Sequence, residues 1–444
     1  MADLIQPRTL KGFRDYPPAL MIPREAILQT ARQVYRSYGF APIDTPALEY
    51  TEILLGKGGE ESDKIIYRFK DHGDRDVALR FDLTVPFARF AAQHVPALGT
   101  PFKRYHMGPV WRGENTAHGR FREFWQCDFD TIGTTANAAD VESTLVIHDL
   151  FQAIGFDRFE IRLNNRLILT GLLEHLGLGD KASAILRCID KLPKAGHEAV
   201  LEEMISLHIP AAGARQVLQL ASRKGENREI LDLVEGEFGA NAKVQEGCRR
   251  MKELFAIALE AGIAPERLRL DLAIARGLDY YTGVIFETFL LDLPGIGSVC
   301  SGGRYDNLAG LYTKTPLPGV GASLGLDRLL AAMEELKMLP GAASTAQVFM
   351  VRFPGVPAGK YESWCRQLRL AEVAVELFPE EKKIGQQLQY AEKRGFRFAI
   401  IAGPDDFALA QFKIKELATR TETVIEAGML LAKMRQFTGI KYPE

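Results

Sequence analysis

The apolar positions of this chain change their period twice, and the changes mark its parts. Ile27, Ala31, Val34, Tyr35 and Tyr38 make one stripe at helical spacing that stops at Gly39, which predicts a helix closed by a glycine. A strand is expected around Ile43, bracketed by Pro42 and Pro46 and so at a sheet edge, where a missing N–H is tolerated and another subunit could approach. Two short strand-like runs, 65–69 and 77–81, flank the turn residues Asp71, His72, Gly73 and Asp74 and read as a hairpin. That hairpin delivers Arg80, Phe81, Asp82, Leu83 and Thr84 at its end.

From about Thr170 to Gly262 the texture is helix after helix, rich in Leu, Ala, Glu, Lys and Arg, with breaks near Pro193, Pro210 and Gly225. The strand-rich pattern is the same before and after it, so 170–262 reads as a helical insertion within a domain spanning 1–336. Strands resume at Leu268, Leu270 and Leu272 and again from Val284 to Leu290, and the glycines of the run from Ser301 to Asp306 permit a close backbone approach. Gly319 to Leu326 then feeds a helix carrying Arg328. Residues 340–345 have the composition of a linker. Beyond it, Val348 to Val351, Val373 to Leu377 and Phe398 to Ile401 alternate with helical segments, which predicts a small α/β domain over 345–444.

Composition narrows the class without choosing it. A chain of 444 residues, 47% of them hydrophobic, can form two or three domains with real cores. Its net charge of −2 provides no global basic footprint, so a nucleic-acid partner would have to be held by local patches and shape. No apolar run reaches membrane-spanning length and the first residues lack an apolar signal core, from which a cytoplasmic protein is expected. The five cysteines are odd in number, scattered and without a C-x-x-C pair, and the eight histidines show no ligand spacing, so reduced thiols and no protein-held metal are expected.

Two separated stretches carry the chemistry. The first, Arg112 to Asp130, places a polar loop centred on Asn115 to Gly119 between strand-like runs, a hairpin with a cationic tip. Alternation along its second arm assigns Phe121, Trp125, Cys127 and Phe129 to a core, and Arg120, Arg122, Phe124, Gln126 and Asp130 to the opposite face. Arginine forks suit phosphate oxygens, an aromatic ring can stack on a base, and an amide with a carboxylate can hold an amine, so that face suits an ATP-like ligand beside a small cationic group. The second stretch, Arg276 to Gly283, reads R-G-L-D-Y-Y-T-G.

At these residues the chain resembles the histidyl-tRNA synthetases, over nearly its whole length. The hairpin looks like motif 2 of the class II aminoacyl-tRNA synthetases, Gly319 to Glu335 like motif 3, and Arg24 to Pro46 is a weaker match to motif 1 at a homodimer interface. R-G-L-D-Y-Y-T-G and S-G-G-R-Y-D are similar to the family's two histidine-specific segments. The fold this implies is an α+β catalytic domain on a mixed, mainly antiparallel sheet of the class II synthetase type, with a helical insertion and a C-terminal α/β domain for the anticodon.

The resemblance also implies roles. Arg112 grips the α-phosphate and the substrate carboxylate, Glu114 reads the adenine edge, and Phe124 stacks beneath the adenine with Arg328 above it toward the γ-phosphate. Arg120 or Arg122 neutralises pyrophosphate. Asp82, Leu83 and Thr84 belong to the histidine subsite, where Asp82, Thr84 and Gln126 hold the α-ammonium group. Asp130 and Tyr281 meet the imidazole nitrogens and Tyr280 shapes the pocket. Arg276 is the catalytic cation at the α-phosphorus and also part of the histidine subsite, and Mg2+ accompanies the β- and γ-phosphates. The implied reaction activates histidine with ATP and transfers it to the 3′ end of tRNA(His), with Lys382, Lys383, Lys393, Arg394, Lys413 and Lys415 as cations that could contact phosphates. The alternative is a non-catalytic regulatory relative that senses histidine; retention of Arg112, Arg120, Arg276 and Arg328 and of the C-terminal stretch argues against it.

Overall fold

The computed structural model describes residues 4–56, 65–275, 280–339, 341 and 343–438. Two units divide the chain, one of residues 27–337 with the N-terminal lead up to Arg14, the other of 338–444 with 15–26. The stripe from Ile27 to Tyr35 is in the later part of the helix Pro18–Ser37, and Tyr38 falls in the turn just past its end. Its end is a Schellman closure: Gly39 sits at φ 79°, Phe40 N donates to Tyr35 O at 3.1 Å and Gly39 N to Arg36 O at 2.9 Å.

In the first unit, β1 (Ala41–Pro42) is followed by a small sheet of β2 (Leu48–Tyr50), β3 (Arg68–Lys70) and β4 (Asp76–Leu79) in the order β2-β4-β3. The main sheet continues with β5 (Phe102–Trp111), β6 (Glu123–Ile132), β7 (Phe159–Asn165), β8 (Leu268–Leu270), β9 (Val284–Leu290), β10 (Cys300–Tyr305) and β11 (Gly319–Gly325). Its order is β1-β5-β6-β11-β10-β9-β7-β8. The edge pairs β1–β5 and β7–β8 are parallel and every pair between them is antiparallel, the mixed, mainly antiparallel sheet expected. The expected edge strand is β1, which ends one residue before Ile43, although Ile43 N still donates to Tyr105 O at 3.0 Å.

Between β7 and β8 the chain is helical, from Arg166–His175 through to the long helix Ala242–Glu260. Arg304 on β10 anchors this part of the sheet through Asp140 on the helix Asn137–Ile154, at 2.9 and 2.6 Å, and Arg250 of the long helix approaches the same carboxylate at 3.4 Å. Arg304 and Asp140 are both buried, so each is the condition for the other.

The second unit carries β12 (Val348–Met350), β13 (Val375–Leu377), β14 (Phe398–Ile401), β15 (Gln411–Glu416) and β16 (Glu422–Glu426), ordered β13-β12-β14-β15-β16. The first three pair in parallel, and β15 and β16 add an antiparallel hairpin that the apolar pattern did not announce. Val348, Met350, Tyr361, Ile400 and Ile414 share its core.

Candidate active site

The hairpin β5–β6 pairs without slip from Phe102–Ile132 to Trp111–Glu123, so alternation sorts its residues cleanly. Cys127 and Phe129 enter the core, where Tyr35 packs 5.1 Å from the Phe129 ring and donates its hydroxyl to Cys127 O at 2.9 Å. The tip lies outside the ladder and does not obey it. Phe121, expected in the core, instead lines a cavity and stacks under Arg14, whose guanidinium lies 4.2 Å from its ring. Trp125 is only partly buried, its amide fixed at 2.7 Å by the buried Asp327 at the start of the helix Leu326–Glu335.

Two cavities open over the other face. The deeper, of about 290 Å³, is lined by Asp82, Thr84, Arg112, Gln126, Asp128, Asp130, Tyr280, Tyr281, Glu287 and Tyr305 among others. The second, of about 230 Å³, is lined by Arg112, Glu114, Arg120, Phe124, Gln126 and Arg328 together with Phe121, Ser298 and Gly325. Arg112 and Gln126, with Ser301 and Ser323, belong to both walls, so the two chambers adjoin. Arg112 is placed there by Phe81 O, which accepts from its Nε at 2.9 Å, and its guanidinium lies 5.1 Å from the Phe124 ring. Arg328 donates to Ser298 O and Arg120 stands 3.6 Å from Glu114.

Arg122 does not join them. Its Nε donates to Glu114 O at 3.2 Å, its own N–H to Gly12 O at 2.8 Å, and it is absent from the cavity wall, because it straps the N-terminal lead onto the hairpin. Arg120 is the tip arginine that faces the chamber. Leu83 is fully buried and accepts from Arg104 through its carbonyl at 3.3 Å, so it stands behind the wall that Asp82 and Thr84 line. Arg276 lies outside the described residues; the approach to it is held by Asn164, which donates to Ile274 O at 2.8 Å, and by Arg166, which donates to Ala275 O at 2.9 Å.

The deeper cavity is a nest of acceptors. Asp82 spends Oδ1 on the Val85 amide at 3.0 Å, in the first turn of the helix Thr84–Leu98, while its Oδ2 is buried without a protein partner. Gln126 Oε1 and Asp128 Oδ1 are likewise buried and unpartnered. Burial pushes the carboxyl of Asp82 up to about 6 and that of Asp128 up to about 7, against the pull of Arg112 and Arg104 respectively. Acceptors that have lost water and found no donor call for a ligand rich in N–H groups.

Asp130 is already engaged. Tyr305 donates to it at 2.6 Å, and Arg104, with no exposed surface, stands 2.7 Å from its other oxygen, an ion pair by distance rather than an aligned hydrogen bond. Burial still raises its carboxyl, with Arg104 opposing. Gly321, its partner on β11, has no room for a side chain: a Cβ there would meet Asp130 Oδ1 at 2.3 Å. Tyr280 and Tyr281 cross edge to face at 5.1 Å on the cavity wall, and Tyr281 lies over Gly303.

Sequence reasoning missed Arg104, Asp128, Glu287, Ser301, Tyr305 and Ser323. Asp128 was open to it, since the alternation that selects Gln126 and Asp130 selects the residue between them. Tyr305 lay in the S-G-G-R-Y-D run already marked by its glycines. Arg104 bore no signal, as one cation in a strand ordinarily faces water.

Fold and paired cavities together define the class, that of the class II aminoacyl-tRNA synthetases. A family model described as Histidyl-tRNA synthetase matches residues 12–329, and one described as Anticodon binding domain matches 357–436. The chain belongs to the histidyl-tRNA synthetase family. It is 57% identical over 418 residues to the histidine–tRNA ligase of Rhodopirellula baltica, covering 94% of this chain and 95% of that one. The crystal structure of histidyl-tRNA synthetase from Nostoc sp. PCC 7120 superposes with a TM-score of 0.89 at 32% identity, covering 98% of this chain and all of that one. An ATP phosphoribosyltransferase regulatory subunit/histidyl-tRNA synthetase from Bacillus halodurans C reaches a TM-score of 0.74 at 21% identity over 87% of this chain and 97% of its own, and shares the fold.

Proposed function

We propose that the adjoining cavities activate histidine with ATP, forming histidyl-adenylate and pyrophosphate, and that the enzyme then transfers histidine to the 3′ end of tRNA(His). The observation that carries this reading is Arg112, one guanidinium in the wall of both chambers, where an α-carboxylate from one side and an α-phosphate from the other would meet. The nucleophile is the substrate's own carboxylate, so no general base is required. The protein's work is alignment and neutralisation of charge at phosphorus.

The deeper chamber takes histidine. Asp82, Thr84 and Gln126 accept from its ammonium group, and Asp130, held by Arg104 and Tyr305, faces its ring together with Tyr281. The second chamber takes ATP as its magnesium complex, with Phe124 under the base, Glu114 at its edge and Arg120 and Arg328 toward the outer phosphates. Arg276 completes the charge neutralisation at the α-phosphorus. A regulator that only sensed histidine would have no use for the cationic second chamber or for the anticodon-domain match over 357–436.

The C-terminal α/β unit is the anticodon reader in this proposal. A homodimer is expected from the resemblance, and the half-exposed apolar face of Leu48, Tyr50 and Phe69 is consistent with a covered surface. Among the described residues no helix is long and apolar enough to cross a membrane, and we assign the enzyme to the cytoplasm.

Pyrophosphate exchange into ATP, run with each of the twenty amino acids without tRNA, tests the reading. Exchange with histidine alone is expected. Histidine binding without exchange would transfer the assignment to a regulator.

A further inference from the structure

Register across five strands lines up His106 on β5, Asp128 on β6, Ser323 on β11, Ser301 on β10 and Glu287 on β9. The last four line the deeper cavity. Gln126, two residues before Asp128 and on the same face, donates from Nε2 to Ser323 Oγ at 3.0 Å. Its Oε1 and Asp128 Oδ1 are both buried without a protein partner. A serine hydroxyl carries one hydrogen, so Ser323, while it accepts from Gln126, still has that hydrogen to give. The carboxylate directly across the ladder from it is Asp128.

We propose that Asp128 is a positioning residue for the substrate's amine: by taking the Ser323 hydrogen it obliges Ser323 to accept from the Gln126 amide nitrogen, which turns Gln126 Oε1 toward the ammonium group. This deepens the histidine-activating reading and rests on it. If position 128 were a donor, the Ser323 hydrogen would turn toward Gln126, the amide would reverse, and an NH2 group would face an ammonium. One carboxylate thus decides between an acceptor and a donor at a group it need not touch.

The surroundings leave Asp128 free for this task. It is 2% exposed, and Arg104, its nearest cation at 3.9 Å, is committed to Asp130 at 2.7 Å. Asp130 in turn has Tyr305 as its donor and sits across from Gly321, which has no hydroxyl to offer. On β11 the side-chain donor in register with Asp128 is Ser323, while His106, in register on β5, has its Nε2 2.9 Å from Asp44. The upward push on the Asp128 carboxyl agrees with a group whose ionised form is completed by a bound cation.

Calorimetry on the full chain tests the relay with two probes: histidinol, which keeps the amine and ring but lacks the carboxylate, and imidazolepropionate, which keeps the ring and carboxylate but lacks the amine. In Asp128→Asn the affinity for histidinol falls about tenfold, the scale of one hydrogen bond to a charged group, while that for imidazolepropionate stays within about twofold. Ser323→Ala loses histidinol affinity by a smaller factor with the carboxylate still in place, so a collapsed pocket cannot account for it. The double variant is no weaker than Asp128→Asn, since both act through one amide. Equal loss of the two probes, or unchanged histidinol binding in both single variants, overturns the relay. Wild-type pyrophosphate exchange is read separately, so a failure of the activation reading is not mistaken for a failure of the relay.

Discussion

Arg104 and Asp130 face each other across β5 and β6 at 2.7 Å, the arginine wholly buried with its guanidinium 4.4 Å from the Phe87 ring. A carboxylate at the floor of a substrate pocket is usually read as belonging to the substrate, yet this one is first a partner of the protein. Its position is fixed before any ligand arrives, which is what pre-organised recognition needs.

Replacing Arg104 by Met therefore removes the only cation within ion-pair distance of Asp130 among the described residues. A buried carboxylate left without its partner costs about 3–5 kcal/mol. Urea denaturation is expected to show that loss, and histidine affinity should fall more than ATP affinity, because the ATP chamber does not touch Arg104. Equal weakening of the two ligands would contradict the placement of Asp130.

Gly321→Ala puts a methyl group against Asp130 Oδ1 at 2.3 Å and against Phe129 O at 2.2 Å. Overpacking of this kind costs about 1–3 kcal/mol, and here the strain falls on the pair of strands that frame the histidine chamber. The KM for histidine should rise about tenfold or more with that for ATP changed far less, as read by exchange kinetics.

The pocket carboxylates make stability depend on pH. Asp82 and Asp128 have folded-state values raised to about 6 and about 7 from 3.8, mainly by burial, so the folded protein binds more protons than the unfolded chain across that interval. Their contribution to stability is present at low pH and is lost as pH rises through about 7. His106, with Arg104, Arg80 and Asp44 around it, works the other way: burial lowers it to about 3 from 6.5, so its contribution is lost as pH falls below 6.5. Between about pH 6.5 and 7.5 the carboxylates outweigh the fading opposition of His106, and thermal midpoints of the unliganded protein should fall with rising pH in that window. A bound ammonium favours the ionised carboxylates, so the stabilisation by histidine should grow over the same window. A constant gap between liganded and free midpoints would count against it.

Asp140 joins the sheet to the long helix Ala242–Glu260. Asp140→Asn leaves the buried Arg304 with Asp306, 3.2 Å away, as its remaining carboxylate and loosens Arg250, at a cost of about 1–3 kcal/mol. Limited proteolysis should then cut the helices between β7 and β8 faster than the C-terminal unit, and the amino-acid and ATP affinities of the surviving folded protein should change little.

What could be read from sequence was whatever sat together along the chain. Arg112, Gln126 and Tyr281 lie in runs so polar or aromatic that no core explains them, and alternation placed Gln126 on the site face. Phe121 and Arg122 defeated the same rule, because alternation holds only where the ladder does, and their loop is folded instead around Gly12 and Arg14. Arg104 is silent in sequence, since its role depends on a carboxylate twenty-six residues away that only register brings opposite. In the C-terminal unit β15 and β16 alternate charge with apolar residues, Lys413 and Lys415 about Ile414, and their pairing shows only when the two strands are aligned.

In the proposed reading the guanidinium of Arg112, shared by both cavity walls, also governs the interval between activation and transfer. Two separate substrates must divide its donors, whereas the mixed anhydride they form presents acyl and phosphoryl oxygens as a single ligand spanning both chambers. Such a product should dissociate more slowly than either precursor. Water-sensitive and freely diffusing, it would be wasted; lodged across the common wall, it waits for the acceptor hydroxyl.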